Sequence, residues 1–111
     1  MGRQRATSLK VTLATTVAAL PLGDYAPDRV EVVGTDNPHV ITSITGFLLE
    51  KGHRITLTMA ADSAFGVQVN DVAAILLEGG NATLAAGDTL TLEYQGNAVW
   101  QMVGGLVDIS A

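Results

Sequence analysis

The sequence predicts an all-β fold, a small antiparallel β-sandwich or barrel of jelly-roll-like type with an extended N-terminal arm. Three observations carry that expectation. Apolar and polar residues alternate with period two in short runs, most clearly Ile55, Leu57 and Met59 against Arg54, Thr56 and Thr58. Between such runs, Gly, Pro, Asn and Asp cluster at roughly ten-residue spacing, as strands joined by turns require. The 48% hydrophobic content rests on Val, Leu, Ile and Ala, with one Trp, two Tyr and two Phe, and small side chains suit closely packed sheets.

Residues 1–8 read as a basic arm and residues 9–111 as a single β domain, the count that 111 residues support. Residues 9–20 form one long or two short strands, with Leu9, Val11 and Leu13 alternating against Lys10, Thr12 and Ala14. Residues 21–28 hold Pro21, Gly23, Asp24, Pro27 and Asp28, the chemistry of a surface loop. A short strand over 29–33 places Val30 and Val32 on one face, and residues 34–38 turn the chain, with Pro38 barred from a ladder hydrogen bond. Residues 39–49 resume the apolar pattern. Ile41, Ile44, Leu48 and Leu49 also fit helical spacing, but Thr42, Ser43, Thr45 and Gly46 favour a strand.

After Lys51-Gly52 comes the strand of Ile55, Leu57 and Met59, then a loop over 60–66 and a strand opened by Val67 and Val69. Asn70-Asp71 turns into an apolar run over 72–77, and Gly79-Gly80-Asn81 breaks it. Thr83-Leu84 is a short segment before the Gly87-Asp88 turn. Leu90, Leu92 and Tyr94 then face one side, against Thr89, Thr91 and Glu93. Gln95-Gly96-Asn97 makes a hairpin into a strand over 99–103, and Gly104-Gly105 leads to a last strand over 106–109. Eight or nine strands result.

Composition excludes several function classes. The absence of cysteine removes disulfide scaffolds, thiolate metal sites and cysteine nucleophiles, and fits synthesis in a reducing cytoplasm. No apolar run reaches the roughly 18 residues of a membrane-spanning helix, and Thr12, Thr15 and Thr16 break up the nearest approach to a secretory signal. Charge is divided: Arg3, Arg5 and Lys10 give +3 before Asp24, and the remainder carries −8, which together make the net −5. A basic arm precedes an acidic body. The arm suits an acidic protein surface, or stays solvated; three charges do not argue for nucleic acid, and the body repels phosphate and anionic membranes.

Motifs for chemistry do not appear. His39 and His53 stand in no metal-ligand spacing and read as surface or turn histidines, and Ser8, Ser43, Ser63 and Ser110 lie in no Gly-x-Ser-x-Gly elbow. Gly79-Gly80 and Gly104-Gly105 are followed by no phosphate-loop Lys-Ser/Thr and read as turns. Asp24, Asp28, Asp36 and Asn37 are oxygen donors of a kind that Ca²⁺ accepts, but turn chemistry explains them and no EF-hand spacing occurs. The expectation is a protein without catalytic, cofactor or metal residues.

Three segments carry a resemblance: Lys51-Gly52-His53-Arg54-Ile55-Thr56-Leu57, Ile75-Leu76-Leu77-Glu78-Gly79-Gly80, and the run from Gly87-Asp88-Thr89-Leu90-Thr91-Leu92 through Tyr94-Gln95-Gly96-Asn97-Ala98-Val99 to Trp100. In this order they resemble a recurring module of tailed-bacteriophage structural proteins, over residues 40–104. That group includes head-decoration, cement or staple proteins, head fibres and tail-fibre domains. The resemblance implies a small β-sandwich that trimerises more often than it dimerises. It further implies a capsid decoration protein, made in the host cytoplasm and located on the virion, that stabilises contacts between major capsid proteins. Fibre modules often continue past the Trp with polar residues, whereas Met102, Val103, Leu106, Val107 and Ile109 are apolar here. An end buried on a neighbour is favoured.

Under that reading Arg3, Arg5 and Lys10 are the capsid-binding candidates. Leu106, Val107 and Ile109 are either a subunit contact or an edge strand within the chain, and Trp100 is either an interface anchor or a core residue under the hairpin. The alternative is a receptor- or carbohydrate-binding module of a tail fibre or spike, for which Tyr25, Tyr94 and Trp100 are the aromatic candidates.

Overall fold

Strand alternation decides which residues turn inward, but it leaves open which strands become neighbours. The computed structural model of the protein describes residues 8–13, 19–23, 27–35, 39–46, 49–61, 63, 66–77, 80–106 and 108–110. Among these residues every regular element is a strand. The chain runs through β1 (Ser8–Thr12), β2 (Ala19–Pro21), β3 (Arg29–Val33), β4 (His39–Ile41), β5 (Ser43–Thr45), β6 (Arg54–Met59) and β7 (Val67–Val69). It continues with β8 (Ile75–Leu76), β9 (Asn81–Leu84), β10 (Thr89–Gly96), β11 (Val99–Leu106) and β12 (Asp108–Ser110).

Three sheets form, in the orders β1-β3-β6-β10-β11-β8, β12-β9-β7-β4 and β2-β5. The all-β expectation holds, but the antiparallel jelly-roll-like arrangement does not, because the sheets are mixed. β1 lies parallel to β3, β3 to β6, β2 to β5, β4 to β7 and β8 to β11. Ser8 stands opposite Arg29 and Arg29 opposite Thr56, while Ala19 faces Ser43 and His39 faces Val67. The result is a solenoid-like stack. One coil, β3-β4-β5, visits all three sheets before β6 returns the chain to the first, one layer on.

The physical reason is connection length. A parallel neighbour needs a crossover of a dozen or so residues, and the segment from one strand to its parallel mate supplies this by way of another sheet. Loops and turns expected to join antiparallel strands therefore act as corners. Backbone bonds carry the layers past the strand ends: Leu13 N donates to Val33 O (3.1 Å), Ala60 N to Val32 O (2.9 Å), Asn70 N to Ile41 O (2.9 Å) and Leu22 N to Thr45 O (2.7 Å).

After β8 the direction reverses. β9 pairs antiparallel with β7, β10 with β6, β11 with β10, and β12 with β9. This returning segment closes the stack. The last glycine pair is no break: β11 runs through Gly104 and Gly105 to Leu106, with an irregularity opposite Thr91/Leu92 that leaves Val103 as the extra, bulged residue. Gly105 has φ +135°, and a Cβ there would collide with the Thr89 backbone. Pro21 ends β2 rather than opening a loop, and the apolar stretch over 39–49 divides into β4 and β5. Of the expected arm, Ser8 belongs to β1, while residues 1–7, with Arg3 and Arg5, lie outside the described residues.

Register aligns the inward residues into columns. Leu9, Val30, Leu57 and Leu90 make one, and Val11, Val32 and Met59 another. In the second sheet Ile41, Val69 and Ala82 are aligned, and Leu20 meets Ile44 in the third. Most of these side chains are fully buried in one contiguous core, while Leu9, Val11 and Met59 pack against it half-buried. Complete burial of each large one stabilises the fold by about 1.5–3 kcal/mol.

Trp100 is the largest side chain in this core and is fully buried. Its Nε1–H donates to Ile44 O (3.3 Å), its backbone N–H to Ala74 O (2.9 Å), and its ring lies 5.0 Å from that of Tyr94 at 55°. The β10–β11 hairpin thus binds β5 of the two-stranded sheet.

The hairpin closes through Asn97 and Ala98, both with positive φ (52° and 62°). A two-residue connection of this kind demands the left-handed region at both positions. The Tyr94 hydroxyl accepts the Ala98 N–H (2.9 Å) and holds the turn. Since alanine occupies a conformation that glycine adopts without a Cβ clash, Ala98→Gly should stabilise the protein by about 1 kcal/mol. Urea denaturation gives the check; a lower midpoint would show that the turn carries no such strain.

Candidate interaction surface

The six-stranded sheet is the largest sheet among the described residues, and its outward residues are the candidates for contact with a partner. Rows across it follow from the register. Arg54 is opposite Glu93, Glu93 opposite Gln101, and Gln101 opposite Leu76. Thr56 is opposite Thr91, and Lys10 is opposite Glu31, which is opposite Thr58.

In the first row Arg54 Nε donates to Glu93 Oε2 (2.9 Å), and Gln95 Nε2 donates to Glu93 Oε1 (3.1 Å). These bonds, that from Arg54 foremost and that from Gln95 next, lower the Glu93 pKa from its ordinary value against an opposing effect of desolvation. A carboxylate with a depressed folded-state pKa adds stability above its unfolded pKa and loses it as pH falls through the folded one. In the second row the Thr56 and Thr91 hydroxyls lie 3.1 Å apart and share a hydrogen bond.

Thr58 departs from the pattern. It is only 7% exposed, and its Oγ1 has no hydrogen-bond partner. A buried hydroxyl without a partner keeps the cost of desolvation and gains nothing in return.

A second polar group sits at the corner where the layers leave this sheet. Thr35 Oγ1–H donates to Leu13 O (2.6 Å), Thr35 N–H to His39 Nδ1 (3.0 Å), and Gly34 N–H to Ser63 Oγ (3.0 Å). Three successive layers are tied there. His39, expected at a surface or turn, is instead 1% exposed at the start of β4, because its ring nitrogen serves as an acceptor inside this corner. His53 is half-buried and donates from Nε2 to Pro27 O (2.8 Å). Both act in the architecture.

The remaining sequence candidates fall as follows. Lys10 is exposed on β1, and Trp100 is in the core. Leu106 ends β11 opposite Thr89, and Ile109 lies in β12 opposite Ala82, at the edge of the four-stranded sheet. Val107, Tyr25, Asp24, Asp36 and Asn37 lie outside the described residues, while Asp28 is exposed. The structure does not bring Lys10 and Trp100 to one place.

What sequence reasoning missed is the exposure of Leu76, at 43%; Val103, already noted within an apolar end, is likewise exposed at 41% among the described residues. A signal existed. Ile75-Leu76-Leu77 and Met102-Val103 are consecutive apolar residues, and in a strand two neighbours cannot both face inward.

Among the described residues no group of three or more His, Cys, Asp or Glu side chains is arranged to hold a metal ion, and no helix is long and apolar enough to cross a membrane. No known family model matches the sequence, and no curated protein matches it.

Two substitutions probe this face. Arg54→Met should return the Glu93 pKa toward the ordinary carboxylate range in an NMR titration; an unmoved value would mean that Arg54 is not the cause. Thr58→Val keeps the side-chain shape and removes the orphan hydroxyl, so stability should rise by about 1 kcal/mol in urea denaturation, whereas a loss would reveal a partner for that hydroxyl.

Proposed function

We propose that this chain is a viral structural protein, a capsid decoration or cement protein that binds the outer surface of a phage head as a homo-oligomer. One observation carries the reading. The run from Gly87 to Trp100, which bears the strongest part of the resemblance, builds most of the β10–β11 hairpin and sets Trp100 into the core. The residues behind the resemblance are thus the residues that close the fold, as expected of a protein whose task is to be a rigid body.

The mechanism under this reading is mechanical. The protein bridges neighbouring major capsid proteins and buries apolar surface across their joints. A ligand that binds only the assembled shell shifts the equilibrium against opening, in proportion to the logarithm of its concentration over its dissociation constant. A stable contact of this sort buries on the order of 1,200–2,000 Å². Arg3 and Arg5, with Lys10 at the start of the body, lie along an acidic groove of the coat, and the charge contrast between arm and body favours protein over nucleic acid or membrane as partner.

The other reading, a sugar- or receptor-binding module of a fibre or spike, calls for aromatic side chains presented as platforms. Trp100 is fully buried and the Tyr94 hydroxyl is engaged by Ala98, so the shell reading comes first.

Mixing the purified protein with undecorated phage shells and with host cells, and following which one it sediments with, distinguishes the two. Saturable binding to shells is expected; binding to cells alone would replace this function with the adhesin reading. Arg3→Glu with Arg5→Glu should weaken shell attachment by about tenfold or more while the urea midpoint of the body stays unchanged. Unchanged occupancy would remove the arm from the mechanism.

A further inference from the structure

We draw no further inference here: the strongest candidate, the exposed apolar side chains Leu76 and Val103 where β8 meets β11 at one end of the six-stranded sheet, carries nothing because nothing in the structure shows what covers it.

Discussion

The burial of Trp100 is the constraint on which the rest of the structure depends. Parallel layers hold their neighbours only through backbone ladders and the inward columns, and a stack of this kind needs something across its end. The β10–β11 hairpin provides it by pairing with β6 and by sending the indole under the sheet to the carbonyl of Ile44 in β5. One side chain therefore joins the sheet with the broad outer face to the smallest sheet. An indole with a satisfied N–H suits this place, because its ring fills a large volume and its polar atom reaches a carbonyl that the interior would otherwise leave unpaired.

The interior and the outer face follow different rules. Inside, the columns from Leu9 to Leu90 and from Ile41 to Ala82 tolerate only apolar side chains stacked in register. Polar groups enter only where they serve a corner, as His39, Thr35 and Ser63 do together. Outside, the Arg54–Glu93 pair is exposed, with side-chain accessibilities of 62% and 26%, and solvent screening limits what it adds to stability. Its more definite effect is to set the direction in which Glu93 titrates. Thr58 belongs to neither rule, being outward in register and yet buried.

Much of the fold was legible in the sequence at the level of single strands. β3, β6 and the hairpin of β10 and β11 lie where period-two alternation and turn residues placed them, since these signals depend on the local chain. Pairing was not legible. The alternation of Arg29–Val33 is the same whether β3 meets its next neighbour in an antiparallel hairpin or β1 and β6 in parallel, and only three-dimensional closure decides. Gly104 and Gly105 misled for a related reason: a glycine pair signals a turn equally well as it signals a strand pressed against the Thr89 backbone. As for surfaces, the charge division of the chain was plain, and the consecutive apolar residues around Leu76 and Val103 required that one of each pair face outward, while which one did so depended on the pairing of β8 and the bulge of β11.

The parallel layers also carry a consequence for how the chain comes into being. A hairpin can form as soon as its two strands leave the ribosome, but a parallel mate must wait for the intervening coil. The residues that shut the stack are made after the layers they close, and until Trp100 emerges the apolar side of the early layers stands open to other chains. Such long-range pairing makes folding slow and late, with a window of exposure in which aggregation competes. Lys10 on β1 and Pro21 on β2 belong to that interval: they guard edges that the growing polypeptide presents long before β10 and β11 exist.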